Sequence, residues 1–238
     1  MVPDELVQLG TDIVNQAREC GAVVRLYGGV AVHARCESIA THSKLQRAHA
    51  DLDLMAAENS KMPLIELLRA MGFQAQANPV HKKEFTRGDV TVELLDTYFH
   101  GLADFDLESR LELDPLTLPL ADLLLLKLQR FHFAEKDIQD SIALLLDHRV
   151  ASGGDQETID RDYIYGLTNR HWGLWTTVFD NTVTLEKILD RYVEPEEAQL
   201  VWRRIELLQE VMDGKRKSLG WWLRAIPNRR LKWYRETA

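Results

Sequence analysis

The chain has 238 residues, 45% hydrophobic and 28% charged, with a net charge of -8. That length suits one large domain or two small ones and buries a core without disulfides or structural metal. The acidic balance excludes general adhesion to nucleic acid, whose backbone must be met by cations.

Leu6, Leu9, Ile13, Ala17 and Cys20 recur at helical spacing, so Glu5–Cys20 is expected to be a helix stopped by Gly21. Val23–Tyr27 reads as a short buried strand ending in a Gly28-Gly29 turn, and Val30–Cys36 as the helix that follows. Glu37–Ala50 is polar and aperiodic and reads as a loop, with Asp51–Ala56 as the second strand. Pro63–Met71 is expected to be a helix ended by Gly72. Phe73–Ala77, Glu84–Arg87 and Val90–Leu95 read as strands, the last two a hairpin through Gly88-Asp89.

After Pro115 the pattern turns helical. Leu120–Phe133 and Asp137–Asp147 read as amphipathic helices, and Gly153-Gly154 as a loop. Further helices are expected over Arg161–His171, Thr176–Tyr192, Glu196–Met212 and Ser218–Ala225. The fold class is therefore α+β: a small mixed sheet with flanking helices over residues 1–114, followed by a helical region over 115–238. The last third also differs in composition. All six tryptophans follow His171, and Lys215, Arg216, Lys217, Arg224, Arg229, Arg230, Lys232 and Arg235 occur with no acidic residue among them.

Cys20 and Cys36 form no disulfide framework, and the opening residues carry Asp4 and Glu5 in place of a long apolar block. The apolar run Leu116–Leu128 is too short and interrupted to span a bilayer. A cytoplasmic protein with no membrane partner is the expectation.

Chemistry concentrates at Asp51 and Asp53. Residues two apart in a strand point to one face, so these carboxylates lie side by side while Leu52 and Leu54 turn into the core. Two like charges there repel and resist desolvation unless a cation sits between them, and a hard divalent ion such as Mg2+ fits. Glu93, in the apolar run VTVELL, is the third acid, with Asp96 at the strand end in reserve. The Gly28-Gly29 turn exposes backbone N–H groups at a helix start, a ready phosphate site.

Together Gly28-Gly29, Asp51-Leu52-Asp53 and Glu93 resemble the nucleotidyltransferase superfamily built on a polymerase-beta-like palm. The long segment before the acidic pair is similar to the branch of abortive-infection nucleotidyltransferase toxins, where Arg47 in QRAHADLDL matches a branch arginine. The likeness extends through Lys127, Lys136, Asp137 and Asp140 and covers residues 22–147. One departure is Glu93, where Asp is commoner.

The resemblance implies a palm followed by a helical region, with two Mg2+ ions and an NTP such as ATP as co-substrate. Asp51, Asp53 and Glu93 would be the metal ligands and catalytic acids. Gly28, Gly29, Arg47 and Lys127 would bind the triphosphate, with either cation alternatively a surface ion-pair partner. The acceptor hydroxyl implied is on tRNA or other RNA reached by the basic C-terminal stretch, a protein, or a small molecule. A toxin would have a cognate antitoxin. An antibiotic-modifying enzyme would use an acidic cleft, for which Asp96, Asp104, Asp106 and Glu108 are available. A non-enzymatic alternative is a nucleotide-binding module on a degenerate palm.

His33, His42, His49, His81 and His100 lack metal-ligand spacing and read as surface or packing residues, and Cys36 as buried. Trp221-Trp222 and Trp233-Tyr234, among cations, read either as base-stacking platforms or as packing anchors.

Overall fold

The computed structural model describes residues 3–76, 83–100, 102, 104–153, 155–214 and 217–226. His81, Trp233-Tyr234 and the basic residues beyond Ile226 lie outside them, as do Ala77, Gly154, Lys215 and Arg216. In chain order the elements are α1 (Pro3–Glu19), β1 (Val24–Tyr27), α2 (Gly28–Arg35), α3 (Ser38–Thr41), β2 (Leu52–Ala56), α4 (Lys61–Ala70), β3 (Gln74–Ala75), β4 (Lys83–Arg87) and β5 (Val90–Leu95). Then follow β6 (Tyr98–His100), β7 (Asp104–Asp106), α5 (Leu120–Leu128), α6 (Glu135–Asp147), β8 (Arg149–Ala151), β9 (Thr158–Asp160), α7 (Arg161–Thr168), α8 (Trp172–Glu186), α9 (Pro195–Gly214) and α10 (Leu219–Ala225). The class is α+β, with a mixed five-stranded sheet. No helix among the described residues is long and apolar enough to cross a membrane.

Residue contacts divide the chain into two units, the first made of 1–35, 47–99 and 105–119. Its sheet runs β1-β2-β5-β4-β3. β2 and β5 are parallel, and the other pairs are antiparallel. Period-2 alternation places Leu26, Leu52, Leu54, Phe85, Val92 and Leu94 on one face, and all are buried. α1 packs there through Leu6, Ile13, Val14 and Ala17. Gly10 lets it approach closely, since a Cβ at that position would meet Leu26 Cδ2 at 2.7 Å and Leu52 Cδ1 at 2.8 Å. Gly88, at φ 59°, supplies the left-handed residue of the two-residue β4–β5 turn.

The outer edge of β1 is covered by the chain segment 116–118. Leu26 N–H donates to the Leu116 carbonyl at 2.9 Å, and Leu118 N–H donates to the Leu26 carbonyl at 3.0 Å. That segment is anchored by buried Asp114, which accepts from the backbone N–H of Leu116 and Thr117 at 2.9 and 2.8 Å and pairs with Arg35 at the end of α2.

The second unit comprises 36–46, 100–104 and 120–238. α5 is not amphipathic as its sequence suggests: all its residues but Lys127 are buried. It ends at Leu128, five residues before the expected Phe133, because Asn181 donates Nδ2 hydrogen bonds to the Leu128 and Arg130 carbonyls at 2.8 Å each. α8 begins at Trp172 instead of Thr176, with the His171 carbonyl accepting from Trp175 N–H. The stretch expected to be loop between α2 and β2 contains α3. Residues 36–46 are held in this unit by hydrogen bonds of Ser38 N–H to Asp147 (2.9 Å), Gln139 to the Lys44 carbonyl (2.9 Å) and His42 to Glu197 (3.0 Å).

Candidate metal centre

The acids stand on the sheet face opposite Leu52 and Leu54. Asp53 is directly opposite Glu93 in the parallel β2–β5 register and opposite Tyr27 in the antiparallel β1–β2 register. Asp51 immediately precedes β2. Parallel pairing thus brings the third acid beside the second, at positions 40 residues apart in sequence. Oxygens from Asp51, Asp53 and Glu93 lie within 4.8 Å of one another, and all three residues are half-buried. Magnesium–oxygen bonds of about 2.1 Å place trans ligands about 4 Å apart, so the cluster matches the reach of one ion. Directly opposed like charges destabilise a sheet pair, so the arrangement has no packing rationale.

Helix α2 begins at Gly28, one residue after β1. Gly28 has φ 74°, and a Cβ on it would clash with the Asp53 carboxylate. A Cβ on Gly29 would clash with the Arg47 guanidinium and come within 3.0 Å of His49 Nδ1. The two glycines therefore make room for an acid on one side and a guanidinium on the other, at the first turn of the helix. Arg47 is steered by its own hydrogen bond to the Ala48 carbonyl at 3.3 Å.

Lys127 belongs to the second unit. Its ammonium pairs with Asp140 at 2.7 Å and lies 3.9 Å from Asp137; both carboxylates are buried one helical turn apart on α6. Asp96 of the first unit pairs with Lys61 at 2.8 Å, Asp106 accepts from Glu108 N–H at 3.1 Å, and Glu108 accepts from Glu58 N–H at 3.1 Å. These acids thus serve the fold around β5 and the segment after β7.

Sequence reasoning gave no site role to three further residues, Glu84, His33 and His49. Glu84 faces Glu93 across the β4–β5 pair and is half-buried, continuing the row Tyr27, Asp53, Glu93. His33 of α2 and His49 meet ring nitrogen to ring nitrogen at 3.2 Å, and His33 reaches Asp4 at 3.2 Å. His49, Asp51 and Asp53 alternate in sequence, which was the available signal for His49. His33, sixteen residues upstream, had none. Trp221 is buried, edge-on to Trp175 at 5.4 Å, and so is a packing anchor, whereas Trp222 is exposed.

Neither a protein-family model nor a curated protein matches the chain. Among solved structures it is similar to an antigenic nucleotidyltransferase-like protein from Paracoccidioides brasiliensis, at 15% identity over 92% of this chain and 96% of that one, with a TM-score of 0.44. That degree of likeness assigns no chemistry to this chain.

Proposed function

We propose that the protein is a Mg2+-dependent nucleotidyltransferase that moves a nucleoside monophosphate from an NTP to an acceptor hydroxyl. The observation that carries this reading is the convergence of Asp51, Asp53 and Glu93 beside a glycine whose missing Cβ makes room for the Asp53 carboxylate. The donor set is all carboxylate oxygen, which suits a hard divalent ion. Half-burial raises the cost of leaving three like charges unneutralised.

In this reading Asp51, Asp53 and Glu93 would hold the Mg2+ ions, two of them as the resemblance implies. When bound, such ions neutralise phosphate charge and stabilise the attacking and leaving oxygens. The first turn of α2, at Gly28 and Gly29, presents backbone N–H groups and the positive end of the helix dipole to phosphate oxygens. Arg47, packed on that turn, adds a positioned cation for the triphosphate and the departing pyrophosphate. Glu93 accepts the proton of the acceptor hydroxyl as its oxygen attacks the α-phosphorus in line, and pyrophosphate leaves.

The eight cations between Lys215 and Arg235 support an RNA acceptor, a tRNA 3′ end among them. A cytoplasmic toxin with a cognate antitoxin is the physiological version of that reaction, with ATP among the co-substrates. Incubation with Mg2+ and each α-labelled NTP, alongside total tRNA or lysate, tests the reading. Label moved onto an acceptor by the native chain and lost in Asp53→Ala is the expected result. Mg-NTP binding without transfer to any acceptor would favour a degenerate nucleotide-binding module, and loss of both would remove the metal centre.

A further inference from the structure

Three side chains from separate parts of the first unit line up behind the glycine turn. Asp4 lies in the first turn of α1, His33 in the last turn of α2, and His49 in the segment before β2. Asp4 Oδ1 is 3.2 Å from His33 Nε2, and His33 Nδ1 is 3.2 Å from His49 Nε2. The remaining ring nitrogen, His49 Nδ1, ends the row at Gly29. A Cβ there would come within 3.0 Å of it and would clash with Arg47 Nη2. The row thus runs from an exposed carboxylate to the guanidinium that lies over the start of α2.

Hydrogen-bond polarity fixes which nitrogen of each ring carries its hydrogen. A carboxylate only accepts, and a neutral imidazole has hydrogen on one nitrogen and a lone pair on the other. His33 therefore donates from Nε2 to Asp4 and offers its Nδ1 lone pair to His49. His49 must donate from Nε2, which leaves its own Nδ1 as an acceptor beside Arg47. A lone pair there repels a phosphate oxygen and attracts a guanidinium, which only donates and is always charged.

We propose that Asp4 and His33 are positioning residues that set the His49 tautomer, so that His49 Nδ1 accepts from the Arg47 guanidinium and holds it over the first turn of α2. The ligand so served is the triphosphate of the nucleotidyltransferase reading, on which this inference rests. An arginine side chain has many rotamers, and a phosphate that must order it binds less tightly. Arg47 Nη1 is already turned to the Ala48 carbonyl at 3.3 Å. Holding Nη2 from the His49 side fixes the plane of the fork before the ligand arrives. His33 and His49, expected from sequence to be surface or packing residues, thereby acquire a task in binding.

Asp4 is 92% exposed, so its replacement leaves the core intact. Nitrogen NMR of the histidine rings under mildly alkaline conditions, with the His49 signals identified by their loss in His49→Phe, should find hydrogen on Nε2 and none on Nδ1. Asp4→Ala should mix the two tautomers, and Asp4→Glu should restore one. In calorimetric titration, Asp4→Ala should weaken Mg-ATP binding about fivefold and Asp4→Glu should not, and the loss should vanish in an Arg47→Ala background. Unchanged affinity in Asp4→Ala, or an equal loss with and without Arg47, would overturn the proposal. The two readings fail separately. A native chain that binds no Mg-ATP removes the nucleotidyltransferase, whereas hydrogen on His49 Nδ1 removes this relay whether or not nucleotide binds.

Discussion

Gly28 has two constraints at once: a left-handed backbone and a carboxylate where its side chain would be. Gly28→Ala therefore adds strain of about 1–3 kcal/mol and pushes Asp53 out of line with Glu93. Calorimetric titration should show loss of Mg-NTP binding, while urea denaturation shows a destabilised chain that still folds cooperatively. Retained binding in that variant would mean the Asp53 position is dispensable. Much of this constellation was readable from alternation, because acids inside apolar strands declare a face. The Asp53–Glu93 register was not, because a parallel partner is set by the crossover that α4 and the β4–β5 hairpin make. The His33–His49 contact likewise joins a helix to a loop sixteen residues on, and no local period spans that gap.

At the scale of elements, hydrophobic periodicity located helices well and their ends poorly, and α5 shows why. Leu120–Leu128 is buried at every position but Lys127, so no exposed polar face in its sequence marks where the helix ends. The stop comes from Asn181, 53 residues beyond Leu128, taking the last carbonyls. α3 and the turn after it were invisible for the same reason. They are fixed by distant partners, among them His42 on Glu197 at the start of α9. Burial opposes charge on His42, but the hydrogen bonds to Glu197 and the Ser38 carbonyl, with the Glu197 and Asp147 charges, outweigh it and raise its pKa above the ordinary imidazole value. A raised folded-state pKa contributes stability that is full below the unfolded value of about 6.5 and is lost as pH rises through the folded value. His42→Gln should accordingly lower the urea midpoint more at pH 5.5 than at pH 8.5. An equal loss at both pH values would assign His42 a packing role alone.

Across the whole molecule, periodicity drew the right contrast between a mixed sheet and a helical remainder, since strands and helices differ in period over many residues. It gave no sign that 36–46 would join residues as distant as Glu197, because a few hydrogen bonds from a polar stretch leave no pattern. The cover on β1 is another long-range pairing of this kind, and it governs where the chain can be cut. Leu116 and Leu118 take both backbone groups of Leu26 on the edge of β1, with Asp114 holding them to Arg35. A recombinant fragment ending at Asp114 would bare those backbone groups as a template for other strands, whereas one ending at Pro119 keeps the edge sealed. Light scattering of the two fragments during concentration should find the shorter one assembling into large particles and the longer one remaining monodisperse. Five residues of an unremarkable linker thus act as the selvedge of the sheet, keeping its weave from joining the next.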